Sequence, residues 1–111
     1  MATEHLPPPL LEHMAERFRV LGDATRLAIL RTLMEEGELN VGELVDRLDT
    51  TQANVSKHLR VLLGEGIVAR RAAGTAAYYS IADPSIPTLC DLVCTRLREQ
   101  KAEEARIFSL S

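Results

Sequence analysis

The chain has 111 residues, of which 46% are hydrophobic and 26% are charged, and its formal net charge is −3. This size allows one domain with one core, and the composition is that of a globular protein rather than a disordered one. No apolar run approaches the ~20 residues of a membrane span. The first residues also lack the basic and apolar regions of a signal peptide. A cytoplasmic protein with no membrane partner is therefore expected.

The charge is distributed unevenly along the chain. Residues 47–71 contain five basic and two acidic side chains, a local net charge of +3, so the remainder carries −6. One basic face on an acidic body is typical of proteins that bind an anionic partner such as nucleic acid. The chain has only two Phe, two Tyr and no Trp, which argues against an aromatic platform for single-stranded bases.

Two helices are predicted first in the chain. A proline-rich segment, residues 1–9, is expected to form a flexible arm. The first helix then carries an apolar face of Leu11, Met14, Ala15 and Phe18 and ends at Gly22. Asp23 is the predicted N-cap of a second helix that ends at Gly37, with the apolar stripe Leu27, Leu30, Leu33 and Met34.

Two further helices with a tight turn between them follow. The stripe Val41, Leu44, Val45 and Leu48 begins just after Asn40, and the turn 49–51 offers hydroxyl groups as N-caps. A fourth stripe consists of Val55, Leu59, Leu62 and Leu63 and ends at Gly64 and Gly66. Two short apolar helices joined in this way are typical of a helix–turn–helix.

The periodicity then changes to that of strands. Residues 67–71 and 77–81 are short β-prone runs with a hairpin tip at 73–76 between them. Asp83 and Pro84 precede a last helix whose apolar face contains Ile86, Cys90, Val93 and Leu97. The predicted fold is mainly α with a small β-hairpin, a winged helix–turn–helix of order α-α-α-α-β-β-α. It would occupy residues 10–104, followed by a C-terminal tail, 105–111.

This order predicts a surface for double-stranded DNA, because the second helix of the motif can enter a major groove while the ribbon contacts neighbouring phosphates. The fourth helix leaves amide, hydroxyl and cationic side chains facing outward or sideways: Gln52, Asn54, Ser56, Lys57, His58 and Arg60. On the ribbon, Arg70, Arg71 and Thr75 are candidates for phosphate contacts. The alternative is an ordinary solvated face, which would have to coincide with the basic stretch and with the fold order.

Five segments in this order resemble the ArsR/SmtB family of bacterial repressors: Leu21–Leu30 (LGDATRLAIL), Val41–Leu44 (VGEL), Val55–Leu62 (VSKHLRVL), Gly66–Val68 (GIV) and Tyr78–Ile81 (YYSI). The resemblance spans approximately residues 10–100. It implies a homodimer joined through the first and last helices, with the fourth helix reading an imperfect inverted repeat in a promoter. It also implies an inducer, often a metal or metalloid, that releases the DNA.

Two inducer sites that are familiar in this family have no counterpart here. One uses paired cysteines on the helix before the recognition helix, where residues 43–47 of this chain contain no sulfur. The other uses Asp and His near the start of the last helix, with His and His or Glu further along. The matching positions hold Asp83, Ser85, Arg96 and Glu99. Since Arg96 cannot bind zinc and no histidine is nearby, neither site is expected.

Cys90 and Cys94 remain as candidates for a sensor. Residues four apart on a helix have Cβ atoms ~5–6 Å apart, so both thiolates can reach one soft ion such as an arsenite-type metalloid or Cu(I). Zinc would need further ligands, which a partner subunit can supply. Two other interpretations stay open: thiol redox sensing, and a purely structural role, because cysteine is often buried and Cys90 lies on the apolar stripe.

Other classes of function find less support. The chain has no P-loop, dinucleotide-binding glycine pattern, nucleophile elbow or His-Glu-x-x-His motif, so catalysis is not expected. A winged helix can also serve as a protein-interaction or architectural module without an inducer. Such a module would expose an apolar patch on the fourth helix, and none is evident between Gln52 and Arg60. A sequence-specific repressor is the preferred hypothesis.

Overall fold

The computed structural model describes residues 6–110, without the side chain of the last of these. This part of the chain forms helices α1 (Pro8–Leu21), α2 (Ala24–Glu36), α3 (Val41–Leu48), α4 (Gln52–Gly64) and α5 (Ser85–Leu110), and strands β1 (Leu39–Asn40), β2 (Val68–Ala73) and β3 (Ala76–Ile81). It contains no helix with the length and apolar character that a bilayer span requires. The predicted fold class is confirmed.

The first helix begins earlier than its sequence pattern suggested. Pro8 and Pro9, assigned above to a flexible arm, form the first turn of α1, where a missing N–H costs no hydrogen bond. Residues 1–5 of the predicted arm lie outside the described residues. The predicted cap of α2 is confirmed, since the Asp23 carboxylate accepts a hydrogen bond from the Arg26 N–H at 3.0 Å.

The helix–turn–helix, α3 and α4, is held by two side-chain caps. Asn40 and Glu43 form a capping box at the start of α3, with hydrogen bonds of 2.8 and 3.0 Å. Asp49 ends α3 in a left-handed conformation, at φ 52°. Thr51 then caps α4 by accepting a hydrogen bond from the Asn54 N–H at 3.1 Å. These local contacts explain why the turn between the helices needs only three residues.

The wing has one strand more than the sequence indicated. The sheet has the order β1-β3-β2 and is antiparallel throughout, with Leu39 opposite Tyr79 and Arg71 opposite Tyr78. A strand of two residues has no periodicity to detect, so β1 forms only because β3 offers it an edge. Gly74, at φ 62°, provides the left-handed residue that the tight hairpin turn needs.

The core lies between α2, α3, α4 and the base of the wing. Its buried hydrophobic residues are Val20, Leu21, Ile29, Leu30, Leu33, Leu39, Leu44, Val55, Leu59, Leu62, Ile67, Val68 and Ile86. The apolar faces of α1 and α5 extend well beyond this core. Phe18 is 54% exposed and Leu97 is 52% exposed, so one protomer leaves these faces largely uncovered.

The last helix is long and passes through the segment predicted as a tail. The Asp83 carboxylate accepts hydrogen bonds from the N–H and hydroxyl of Ser85, at 2.9 and 2.8 Å, and so caps the start of α5. The helix then continues for 26 residues, about 39 Å at 1.5 Å per residue. Residues 105–110 are therefore helical, because no Gly or Pro interrupts the chain after Pro87. Ion pairs Lys101–Glu104 and Glu103–Arg106 add local support.

Candidate nucleic-acid interface

Helix α4, the second helix of the helix–turn–helix, is held against the core by its apolar residues. Val55, Leu59 and Leu62 are buried, and this anchors the helix on α2 and α3. Gln52, Lys57 and Arg60 are exposed on the opposite side, while Ser56 is half-buried. The structure therefore presents an amide and two cations to solvent from a helix that is rigidly seated, which is the arrangement that groove readout requires.

Asn54 has a second role that reduces its freedom. Its side chain is half-buried, and its amide nitrogen donates a hydrogen bond to the Thr50 hydroxyl at 3.1 Å. This bond ties the first turn of α4 to the turn that precedes it. Within the part of the chain that the structure describes, the side-chain carbonyl oxygen of Asn54 accepts no hydrogen bond, so it can still act as an acceptor.

The prediction that His58 faces outward or sideways for a DNA contact is wrong. His58 is only 6% exposed, because it occupies the i+3 position of the inward-facing stripe of α4 that starts at Val55. Arg26 Nη1 lies 3.3 Å from His58 Nδ1. An arginine N–H can only donate, so Nδ1 accepts and the neutral ring carries its proton on Nε2. The same guanidinium donates from Nε to the Val20 carbonyl at 2.7 Å.

Burial also keeps His58 uncharged. Desolvation lowers the pKa of His58, and the positive charges of Lys57 and Arg26 act in the same direction. The Asp23 carboxylate, 4.0 Å from Nδ1, opposes this effect but is outweighed by burial. His58 therefore forms a polar contact between α4 and Arg26 of α2 as a neutral ring. This hydrogen bond and the absence of charge explain how a histidine can be buried in the core.

The hairpin carries two arginines that differ in whether they form an ion pair within the described residues. Arg70 and Thr75 are exposed, and Arg70 has no ion-pair partner among the residues that the structure describes. Arg71 donates from Nε and Nη2 to the two carboxylate oxygens of Glu38, at 3.0 and 2.7 Å. Its guanidinium also lies 5.1 Å from the centre of the Tyr78 ring. Lys57 and Arg60 on α4 resemble Arg70, since within residues 6–110 neither forms an ion pair.

Arg17 connects α1 to the segment after α4 and to the segment before α5. Its guanidinium donates to Glu65 Oε1 at 3.3 Å and to the Glu65 carbonyl at 3.1 Å, just beyond α4. It also donates to Asp83 Oδ2 at 2.6 Å, just before α5. Hydrogen bonds from Ser85, followed by that from Arg17, lower the pKa of Asp83. One half-buried arginine therefore joins α1, the end of the recognition helix and the start of α5.

The two cysteines border a groove between α1, α2 and α5. Both are free thiols; Cys90 is half-buried against the core and Cys94 is exposed. The groove has a volume of about 740 Å³ and is lined mainly by apolar side chains, including Phe18, Leu27 and Leu97. Burial, with smaller contributions from Asp91 and Cys94, raises the pKa of the Cys90 thiol. Among the residues described, no group of three or more His, Cys, Asp or Glu side chains is placed to hold a metal ion.

Three features of this surface were not predicted from the sequence. Glu38, Arg26 and Arg17 bind partners that lie 33, 32 and 48 or 66 residues away along the chain. No local spacing marks such pairs. The burial of His58 did have a signal, because Val55, His58, Leu59 and Leu62 follow the helical i, i+3, i+4, i+7 pattern.

Residues 23–70 match the family described as bacterial regulatory protein, arsR family. An uncharacterized HTH-type transcriptional regulator of Methanocaldococcus jannaschii is 40% identical over 82 residues, which cover 74% of this chain and 92% of that protein. The arsenical resistance operon repressor of Bacillus subtilis is 31% identical over 77 residues, covering 69% of this chain and 73% of the repressor.

The fold has solved counterparts as well. One is the solution NMR structure of the homodimeric winged helix–turn–helix DNA-binding domain of a possible ArsR-family transcriptional regulator from Mycobacterium bovis. It superposes with a TM-score of 0.74 at 31% identity, and covers 82% of this chain and 83% of that one. The sequence matches, the shared fold and the helix–turn–helix with its wing agree: this chain belongs to the arsR family of DNA-binding winged helix–turn–helix transcriptional regulators.

Proposed function

We propose that this protein binds a promoter as a homodimer and represses transcription there, with α4 reading base edges and the wing holding phosphates. The observation that carries this proposal is the group of cations that form no ion pair within residues 6–110: Lys57, Arg60 and Arg70. Lys57 and Arg60 extend from α4, whose inner face is buried, and Arg70 extends from strand β2 of the wing. When such cations bind phosphates, condensed counterions leave the DNA, and this release supplies the sequence-independent part of DNA affinity.

Base readout is assigned to the polar residues at the start of α4. Gln52 is exposed in the first turn, and Asn54 keeps a free carbonyl oxygen. Amides of this kind pair with adenine edges in the major groove. Ser56 is placed for a phosphate or base contact, while Thr75 at the tip of the wing is assigned to the backbone. His58 is removed from this set because it is buried. The protein acts by binding, in the cytoplasm, and no catalytic role is proposed.

The homodimer is assigned to α1 and α5. The two helices expose a large apolar surface, including Leu11, Phe18, Leu92, Val93 and Leu97, which exceeds what a monomer usually leaves in water. The radius of gyration is 17.1 Å, compared with ~13 Å for a compact chain of this length. A twofold axis along these helices would place two recognition helices for the two halves of an inverted repeat. The homodimeric domain from Mycobacterium bovis supports this assembly.

The experiment that tests DNA binding is a fluorescence-anisotropy titration with duplex DNA from the upstream region of the protein's own gene. A duplex of the same composition in scrambled order is the control. We expect tighter binding to the native sequence, with an affinity that falls steeply as salt rises. Equal affinity for both duplexes would contradict a sequence-specific regulator. Absence of binding to either would contradict the DNA-binding surface itself.

We further propose that the release signal acts at Cys90 and Cys94. The two thiols lie one helical turn apart on α5, the helix assigned to the dimer. A soft ion bound there would change the helix on which the spacing of the two recognition helices depends. One protomer supplies two sulfurs, and a twofold dimer that pairs α5 with α5 would have four on this pair of helices. Two thiol groups at this spacing suit an arsenite-type metalloid or Cu(I), because soft sulfur ligands bind soft ions.

The cysteine proposal is tested on the protein–DNA complex. Arsenite, Cu(I), Zn(II) and a persulfide donor are added separately to the wild type and to the Cys90→Ser/Cys94→Ser variant. We expect arsenite or Cu(I) to release DNA from the wild type only. Release by the persulfide donor alone would assign the pair to redox sensing. If neither protein responds to any agent, the cysteines are packing residues and the regulator works without this inducer.

A further inference from the structure

The charge pair between Glu38 and Arg71 has the geometry of a phosphate contact. Both carboxylate oxygens of Glu38 accept hydrogen bonds from the guanidinium of Arg71, at 3.0 and 2.7 Å. This paired arrangement is the one that arginine also forms with a phosphate group. The Arg71 hydrogen bonds lower the pKa of Glu38, so the carboxylate is charged at neutral pH. The Glu38 carboxylate therefore already occupies the Nε and Nη2 donors with which Arg71 could bind a phosphate.

The contact depends on the strand that the sequence pattern did not reveal. Glu38 immediately precedes β1, which lies beside β3, and β3 separates it from β2, the strand of Arg71. The Glu38 side chain reaches across the sheet while Arg71 lies over Tyr78 of β3, 5.1 Å from the ring centre. The two side chains remain accessible, at 37% exposure for Glu38 and 59% for Arg71. A phosphate group can therefore approach the guanidinium.

We propose that Glu38 attenuates DNA binding by competing with backbone phosphates for Arg71. This inference rests on the proposed function. A phosphate that approaches Arg71 either replaces the carboxylate or joins it, and in both cases one negative charge of the protein opposes the contact. Lys57, Arg60 and Arg70 carry no such opposing partner among the residues described. Each wing thus contributes less sequence-independent affinity than its arginines would allow.

Attenuation of this kind has a functional consequence. A regulator meets a vast excess of random sequence in a genome, and the bound fraction of its operator depends on the ratio of specific to non-specific affinity. Phosphate contacts raise non-specific binding and carry no sequence information. By weakening one phosphate contact in each wing, Glu38 lowers the affinity for random DNA and so reduces the fraction of the protein that is bound away from its operator.

The test compares two substitutions that change the charge equally. Glu38→Gln removes the competing carboxylate. Glu103→Gln removes the carboxylate that binds Arg106 on α5, outside the DNA-binding surface. Affinity for a random duplex is measured by anisotropy at 50 and 200 mM salt, and circular dichroism verifies that both variants fold as the wild type does.

We expect Glu38→Gln to raise the affinity for random DNA roughly tenfold at 50 mM salt and Glu103→Gln to leave it within about twofold. A dimer that gains one phosphate contact in each wing steepens the salt slope by ~1.8, so the roughly tenfold gain at 50 mM should be almost completely lost at 200 mM. In the Arg71→Ala background the gain should vanish, because the arginine that would receive the phosphate is absent.

Three outcomes would overturn the inference: equal effects of the two glutamine substitutions at 50 mM salt, weaker binding by Glu38→Gln at 50 mM salt, or a gain that persists without Arg71. Weaker binding would mean that Glu38 orients Arg71 for DNA rather than opposing it. A persistent gain would mean that Glu38 repels phosphates directly. If the wild type binds no duplex, the proposed function fails together with this inference, whereas wild-type binding with equal variants refutes the inference alone.

Discussion

Arg17 provides the most direct test of how the end of α4 is connected to α1 and α5. The substitution Arg17→Met keeps most of the aliphatic stem but removes the guanidinium. It eliminates hydrogen bonds to Glu65 Oε1, to the Glu65 carbonyl and to Asp83 Oδ2, at 3.3, 3.1 and 2.6 Å. Two carboxylates then lose their shared counter-charge, so the fold should become less stable.

The magnitude follows from the exposure of the groups. A charge-assisted hydrogen bond contributes ~1.5–3 kcal/mol when it is well shielded from water. The Arg17 side chain is 35% exposed and those of Glu65 and Asp83 are each 22% exposed, so water screens the cluster and rehydrates the carboxylates in the variant. We therefore expect a loss of about 1–2 kcal/mol in the free energy of unfolding, well below the sum of three shielded bonds.

The assay is urea unfolding followed by circular dichroism, at one protein concentration because a dimer's stability depends on it. Arg19→Met is the matched control, since the ion pair that Arg19 forms among the described residues is with Glu16 of the same helix and its side chain is 66% exposed. The control should change stability by less than about 0.5 kcal/mol. If the two variants unfold at the same urea concentration, Arg17 does not connect the helices energetically.

Three further predictions concern the recognition helix and the dimer. Lys57→Ala should weaken binding to operator and random DNA alike, whereas Gln52→Ala should reduce discrimination between them by ~1–3 kcal/mol in anisotropy titrations; the reverse pattern would contradict their assigned roles. Because burial lowers the pKa of His58 below its ordinary value of 6.5, the stability it contributes is fully present above pH 6.5 and should be lost as pH falls through its folded pKa. His58→Gln should remove that part of the pH dependence of the urea midpoint, and an unchanged profile would exclude His58 as its source. Leu97→Glu should shift sedimentation toward the monomer and weaken operator binding, and a dimer that persists would place the interface elsewhere.

The helices of this protein could be predicted because their signals are local. Asp23, Asn40 and Thr51 are capping residues followed by apolar residues at helical spacing, and each starts a helix where the pattern indicated. Gly37 and Gly74 stand where the backbone needs a positive φ. The exposed positions of Gln52, Lys57 and Arg60 follow from the same periodicity. The contacts of these residues, and of Arg70 and Thr75 on the hairpin, with DNA remain predictions.

Other features arise only when distant segments meet. The strand β1 needs the edge of β3, and the neutral state of His58 depends on burial against α2, 32 residues away from Arg26. Whether a cation is available for phosphate is likewise decided in three dimensions. Arg70 and Arg71 are neighbours in sequence, yet of the two only Arg71 forms an ion pair among the described residues, with Glu38. The sequence by itself determined the order of the five helices and the two hairpin strands and the place of the helix–turn–helix, because helix and turn formation depends on neighbouring residues. The tertiary structure alone decided which charges are paired, since electrostatic contacts depend on distance in space and not on separation along the chain.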